Sequence, residues 1–227
     1  MNDRMGDILE AVIQEFIQSG EPVSSGSLYE RYDFGIKPAM IRLELDALEN
    51  EGYLGKPHHS AGRIPTDAGY EFFAMRALRE ALESRARVRE QEYSMRELFE
   101  ERAWPDLMAR LSNELGLLGV AADLAHDMVY KMGLEQLVSR LDLDDRKELQ
   151  SVIRDFEEID GRVPGAAPKI GQQEPQVFIG RKSPVTKSEQ LSVVAENYKI
   201  GDMTISIFAI GPKRMDYKKA IRMLKNL

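Results

Sequence analysis

The sequence predicts an α+β chain with a small helical domain at its N-terminus, and three observations point to it. Apolar residues recur at helical spacing between Ile8 and Leu48, interrupted at Gly20-Glu21-Pro22 and again at Phe34-Gly35-Ile36. The segment Pro57-His58-His59-Ser60-Ala61-Gly62-Arg63-Ile64-Pro65-Thr66 follows a helix ending near Tyr53 and reads as a hairpin whose tip holds His, Ser, Gly and Arg. Three runs of strand character, residues 176–180, 191–196 and 203–210, lie towards the C-terminus.

Ile8, Leu9, Val12, Ile13, Phe16 and Ile17 share one helical face, and Gly20 closes that helix. Pro22 breaks the chain, and Ser24 or Ser25 can cap a second helix whose inner face is Leu28, Tyr29 and Tyr32. Gly35 suits a left-handed turn, and Pro38 sits at the first position of a third helix running to about Asn50 with Ile41, Leu45 and Leu48 inward. Three helices followed by a hairpin are winged helix-turn-helix order, the hairpin being the wing. This assigns residues 1–70 to a DNA-binding domain.

Residues 71–103 are expected to form a helical linker. From Tyr70 to Arg102 the chain is charged and free of Gly and Pro, with apolar residues at Phe73, Ala77, Ala81, Val88, Met95 and Phe99. A solvated connector and a dimerising helix both fit that pattern. Residues 104–227 hold a helix at 106–115, a buried strand at 117–122 and a second strand at 128–132. Helices at 134–141 and 145–159 follow, then a Gly- and Pro-rich loop at 161–175, the three late strands and a terminal helix at 216–224. Helices around a small antiparallel sheet make an α+β regulatory domain.

The 227 residues are 43% hydrophobic and 30% charged, enough to bury a core. Without cysteine there is no disulfide scaffold and no thiolate metal site, and no apolar run approaches the ~20 residues a membrane span needs. With no signal-peptide pattern at Met1-Asn2-Asp3-Arg4, a cytoplasmic protein without membrane contact is expected. The net charge of −7 argues against a general nucleic-acid coat, and residues 1–66 hold six Lys/Arg against eleven Asp/Glu. Yet four of the six, Lys37, Arg42, Lys56 and Arg63, fall on the third helix and the wing, and a sequence-specific reader needs only a local basic face.

The candidate DNA-binding residues are Ser25, Lys37, Ala39, Met40, Arg42, Leu43, Lys56, His58, Ser60, Gly62, Arg63 and Thr66. Arg42 points away from Ile41 and Leu45 and can reach a phosphate or guanine edge; its alternative is a salt bridge to Asp46, four residues on. Lys37 gains from the positive end of the third helix but cannot cap it as Ser would. Arg63 suits a narrow minor groove, with Gly62 permitting close backbone approach, although an ordinary hairpin charge is the plainer account. Ser25 can donate to phosphate or simply cap its helix.

Adjacent His58 and His59 point to opposite faces of a strand and have no carboxylate or thiolate cluster beside them, so no metal is expected. The 211–217 segment could resemble an anion loop, but a strand-to-helix corner capped by Asp216 explains it as well. With no glycine-rich phosphate loop, nucleophile elbow or supported carboxylate pair, neither catalysis nor a cofactor is expected.

Three blocks resemble the HrcA family of bacterial heat-inducible transcription repressors: Gly20-Glu21-Pro22-Val23-Ser24-Ser25; the stretch from Lys37-Pro38-Ala39-Met40-Ile41-Arg42 through the wing to Gly69-Tyr70; and Val177-Phe178-Ile179-Gly180, Leu191-Ser192-Val193-Val194 and Ile210-Gly211-Pro212-Lys213-Arg214-Met215-Asp216-Tyr217. The resemblance implies a GAF-like domain after the winged helix, and a homodimer on an inverted-repeat operator upstream of chaperone genes. It also implies activity modulated by chaperonin or temperature. The chain departs from the family in running nearly straight from Gly119 to Leu134, where the family carries a long insertion that contributes to dimerisation. It departs again at Lys37, Met40 and Leu43, where the family shows Ser, Thr and Asn, and at His59, where it shows Thr. Those departures predict another dimer surface and a different operator. The alternative is a divergent regulator whose GAF-like domain senses a small ligand or protein and controls another set of genes. In either case the sequence requires Arg42 and Arg63 to present two cationic prongs on one side of the molecule.

Overall fold

The computed structural model describes residues 1–57, 62–83, 90–141, 146–172 and 174–227. They fall into two compact units, Met1–Arg76 and Ala77–Leu227. Helix α1 (Asp3–Ser19) is capped by Asn2, whose side chain accepts from the Met5 amide at 2.8 Å, and it ends at left-handed Gly20. Helix α2 (Ser25–Arg31) is capped by Ser24, not Ser25: the Ser24 and Ser27 side chains bond each other's backbone amides in a capping box. The turn to α3 (Pro38–Asn50) holds Gly35 at φ 68°, with its amide donating to Asp33 Oδ1 at 2.9 Å.

Met5, Ile8, Leu9, Val12 and Ile13 of α1 pack with Leu28 of α2 and with Ile41, Leu45 and Leu48 of α3 to form the core of the first unit. Two ion pairs fasten the helices at its rim. Arg4 reaches Glu44 at 2.8 Å, and largely buried Glu15 holds Arg31 and the Tyr32 hydroxyl. After α3, β1 (Leu54–Gly55) pairs antiparallel with β2 (Ile64–Pro65). Val23, in the α1–α2 connection, adds a third backbone partner by bridging Arg63. Helix α4 (Asp67–Glu83) begins in this unit, where Tyr70, Phe73 and Ala74 join the buried set.

The second unit is a five-stranded antiparallel sheet of order β4-β3-β7-β6-β5. Its strands are β3 (Leu118–Asp123), β4 (Met128–Met132), β5 (Gln176–Ile179), β6 (Leu191–Ile200) and β7 (Met203–Pro212). Alternation divides the sheet's residues between two faces. Leu118, Val120 and Ala122, with Val193, Ala195, Phe208 and Ile210, meet Leu137 of α7 (Leu134–Val138) and Val152, Ile159 and Val163 of α8 (Arg146–Ala166). The other face meets α6 (Trp104–Leu115) over β3 and β4, α9 (Tyr217–Lys225) over β6, and Phe99 of α5 (Glu90–Glu100). There Phe99 stacks edge-on with Tyr198 at 5.0 Å, and the Tyr217 hydroxyl meets Ser192 Oγ at 2.9 Å.

Two expectations are corrected. The helix predicted from Tyr70 to Arg102 is helical to Glu83 and again from Glu90, with residues 84–89 outside the described residues, but it is not an exposed one: Met95 and Phe99 are buried in the second unit instead of lying on a solvated face. The loop predicted over 161–175 is helical to Ala166, because Val163 and Ala166 complete a stripe with Val152 and Ile159 that the sheet buries. Pro164, in the last turn of α8, supplies no amide hydrogen to that turn. There the helix tightens into a short 3-10 turn, and buried Asn197 donates to the Ala167 and Ile170 carbonyls at 2.9 and 2.8 Å.

Candidate nucleic-acid interface

The N-terminal half of α3 is the exposed part of the helix. Its buried positions, Ile41, Leu45 and Leu48, turn towards α1 and α2, which leaves Lys37, Ala39, Met40, Arg42 and Leu43 in solvent. Leu43 is 60% exposed and Met40 45%. Lys37 stands at the N-cap without a side-chain capping bond; Pro38 carries no amide hydrogen and the Met40 amide donates to the Lys37 carbonyl at 2.9 Å, which leaves the Ala39 amide and the positive end of the helix dipole at this terminus. Lys56 follows β1 and is half-buried, and Ser25, also half-buried, is the first residue of α2.

Charge pairing sets these residues apart from their surroundings. Arg4 pairs with Glu44, Arg31 with Glu15, Arg63 with Asp46 and Glu49, and Arg76 with Asp7 and Glu10. Lys37, Arg42 and Lys56 have no ion pair or side-chain hydrogen bond among the described residues. Among the described residues, the cations without acidic partners in Met1–Arg76 are therefore those placed on α3 and at the base of the hairpin. Arg42 does not take Asp46, the partner four residues on, because Arg63 occupies that carboxylate.

Arg63 corrects the expectation of a second cationic prong. Its side chain is only 8% exposed; Nη2 bonds Asp46, and Nε lies 2.8 Å from Glu49 Oε2, a close ion pair off the hydrogen-bond line. Its backbone exchanges hydrogen bonds with Val23 at 2.9 and 2.7 Å, which turns the side chain inward over α3. The guanidinium thus fastens the hairpin to α3 and is not presented to a groove.

Gly62 is likewise explained from within. A Cβ there would stand 2.4 Å from the Val23 carbonyl oxygen, so it is the 22–23 backbone that needs the space. Thr66 spends its hydroxyl on the Gly52 and Tyr53 carbonyls at 2.6 and 3.0 Å, and its oxygen accepts from the Gly69 amide in the first turn of α4. His58 and Ser60, with His59, lie outside the described residues. Of the predicted site residues, Ser25, Lys37, Ala39, Met40, Arg42, Leu43 and Lys56 remain at the surface. Asp46 and Glu49, which sequence reasoning did not select, control the charge of this surface through Arg63.

In the second unit, buried Asp155 accepts from the Lys187 and Ser188 amides at 2.9 and 2.8 Å and from Arg162. Glu196, buried beneath α9, has its carboxyl pushed up to about 7, chiefly by desolvation and further by Glu174, against the opposing effects of the Tyr198 hydrogen bond and Lys225. Among the described residues no group of His, Asp and Glu has the arrangement of a metal site, and no helix is long and apolar enough to cross a membrane.

Comparison with known proteins places the chain. The family model of the HrcA protein C-terminal domain matches residues 69–221, two thirds of its length. The heat-inducible transcription repressor HrcA of Frankia casuarinae is 49% identical over 76 residues, covering 34% of this chain and 22% of that protein. The protein of the same name from Bifidobacterium animalis subsp. lactis is 50% identical over 70 residues, 31% of this chain and 19% of its own. These alignments thus span about a fifth of the relatives' length. A solved structure described only as a hypothetical protein shares the fold with a TM-score of 0.77 over 99% of this chain and 95% of its own, at 18% identity. On the family match the chain belongs to the HrcA family.

Proposed function

We propose that this chain is a DNA-binding transcription repressor of the heat-inducible kind its curated relatives are named for, and not an enzyme. In this reading α1–α3 with β1 and β2 are a winged helix-turn-helix, and Ala77–Leu227 is a GAF-like regulatory domain. The observation that carries it is the placement of Lys37, Arg42 and Lys56. Without acidic partners among the described residues, they stand at the start of α3, on its exposed face and just after β1, in a protein of net charge −7.

Helix α3 enters the major groove by its N-terminal residues. Lys37 and the Ala39 amide hold a phosphate at the positive end of the helix, Arg42 meets a phosphate or base edge, and Lys56 and Ser25 contact flanking backbone. A homodimer would place two such helices on an inverted repeat with half-sites about 34–36 Å apart. Chaperonin or temperature would act by changing the fraction of folded, binding-competent protein.

The test is binding of the full chain to duplexes recovered by genome-wide footprinting, measured by fluorescence anisotropy across a salt series. Specific binding that weakens steeply with salt is expected, since each phosphate contact releases counterions. Arg42→Ala should weaken it roughly tenfold and flatten the salt slope by about one. Recovery of no specific duplex would sink the proposal.

A further inference from the structure

Met40 and Leu43 are apolar, lie on the solvent side of α3 and belong to no core: the helix buries Ile41, Leu45 and Leu48 instead. At 45% and 60% exposed they leave a patch of hydrocarbon in water, and Ala39, one position before Met40, extends it with a further methyl group. Lys37 and Arg42 stand beside the patch on the same helix and Lys56 follows β1, all three without acidic partners among the described residues. Apolar groups interleaved with cations fit a polyanion that carries apolar groups between its charges. In the major groove of duplex DNA that group is the 5-methyl of thymine, the main hydrocarbon a base edge presents there.

Resting on the DNA-binding proposal, we infer that Met40 and Leu43 are specificity-determining residues that read thymine methyl groups, so that each half-site carries thymines where α3 meets the groove. Long polar side chains in these places would hydrogen-bond to base edges. Met40 and Leu43 can do neither that nor hold phosphate, so what they discriminate is the presence of a methyl group. Arg42 supplies affinity beside them without choosing the base they cover.

The experiment uses the full chain. Duplexes are selected from a random pool by the wild type, and each enriched thymine is then replaced singly by deoxyuridine, which removes only the methyl. An affinity loss of about 3- to 4-fold is expected at one or two positions in each half-site, from the ~0.8 kcal/mol of a buried methyl-sized group. Met40→Ser and Leu43→Ser, both on exposed positions, should bind with the same salt slope yet no longer distinguish thymine from uracil there.

Equal binding of thymine and uracil at every position, with specific binding intact, overturns the inference and leaves the DNA-binding proposal standing. Enrichment of no duplex overturns both. Sedimentation of the same two variants supplies a further outcome: a fall in oligomeric state would make the patch a protein contact and overturn the inference.

Discussion

Arg63 and Asp46 form an ion pair that takes from Arg42 the acid four residues on. Asp46 stands four residues after Arg42 on α3, the spacing at which a helix pairs opposite charges, yet the carboxylate is held by an arginine from the hairpin. Arg63 is therefore a positioning residue: it fastens the hairpin and neutralises an acid beside the proposed groove-facing surface. Arg63→Ala should cost about 1–3 kcal/mol in chemical denaturation followed by circular dichroism, because Asp46 and Glu49 lose their shared partner. It should also weaken operator binding, since the freed Asp46 can pair with Arg42 and adds negative charge. Arg42→Ala should lose binding at unchanged stability, and the two variants are told apart by that difference.

Gly62 gives a second test of how the hairpin is held. Its neighbour is the 22–23 backbone, and any side chain would push Val23 away from its paired bonds with Arg63. Gly62→Ala should destabilise the first unit by about 1–3 kcal/mol, as overpacking against a fixed backbone does. A melting temperature equal to that of the wild type would show that the Val23 segment moves aside freely.

Much of this architecture was legible in the chain because local signals agreed with tertiary demands. Gly20 and Gly35 take the left-handed conformations their turns require, Pro38 opens α3, and Asp216 caps α9 by accepting from the Lys219 amide at 2.9 Å. The failures came where distant packing outweighed local propensity. Gly161, Pro164 and Gly165 spell a loop, but the apolar stripe of α8 and the Asn197 cap hold a helix. Met95 and Phe99 looked like scattered apolar residues on a charged helix, and only the covered sheet face reveals what they bury against. Arg63 misled for the same reason: the Val23 bridge that turns it inward joins residues 40 positions apart (63 − 23). Lys37, Arg42 and Lys56 could be picked out by position, but their lack of acidic partners among the described residues could not.

Asp155 should prove essential to the second unit. It is nearly fully buried on α8 and serves the Lys187 and Ser188 amides together with Arg162, tying the segment before β6 to the helix. Asp155→Ala would leave two amides without their acceptor and Arg162 with only Glu158 and the Val185 carbonyl, at a cost of about 3–5 kcal/mol. The sole tryptophan, Trp104, is buried in this unit, so its fluorescence during urea unfolding reports the loss directly. Asp155→Asn should lose less, since one carbonyl oxygen remains for the amides.

Glu196 makes the stability of that unit depend on pH. Burial raises its pKa from 4.5 in the unfolded chain to about 7, with Glu174 pushing the same way and Lys225 and the Tyr198 hydroxyl opposing. Below about pH 4.5 both states hold the proton and nothing is lost. Between there and 7 the folded state alone keeps it, so stability falls as pH rises, and above 7 the full cost of the buried charge is present. Geometry favours the acid form. The Tyr198 hydroxyl lies 2.7 Å from the Leu224 carbonyl and 3.2 Å from Glu196 Oε2, and its one proton cannot serve both acceptors. A protonated Glu196 donates to the tyrosine oxygen and frees that proton for α9. Glu196→Gln, which keeps a donor there, should stabilise the protein by roughly 2 kcal/mol at pH 8, allowing for solvent near the carboxylate, and change little at pH 5. Trp104-detected unfolding at the two pH values measures it, and an equal effect of the substitution at both would mean that Glu196 does not titrate in this range.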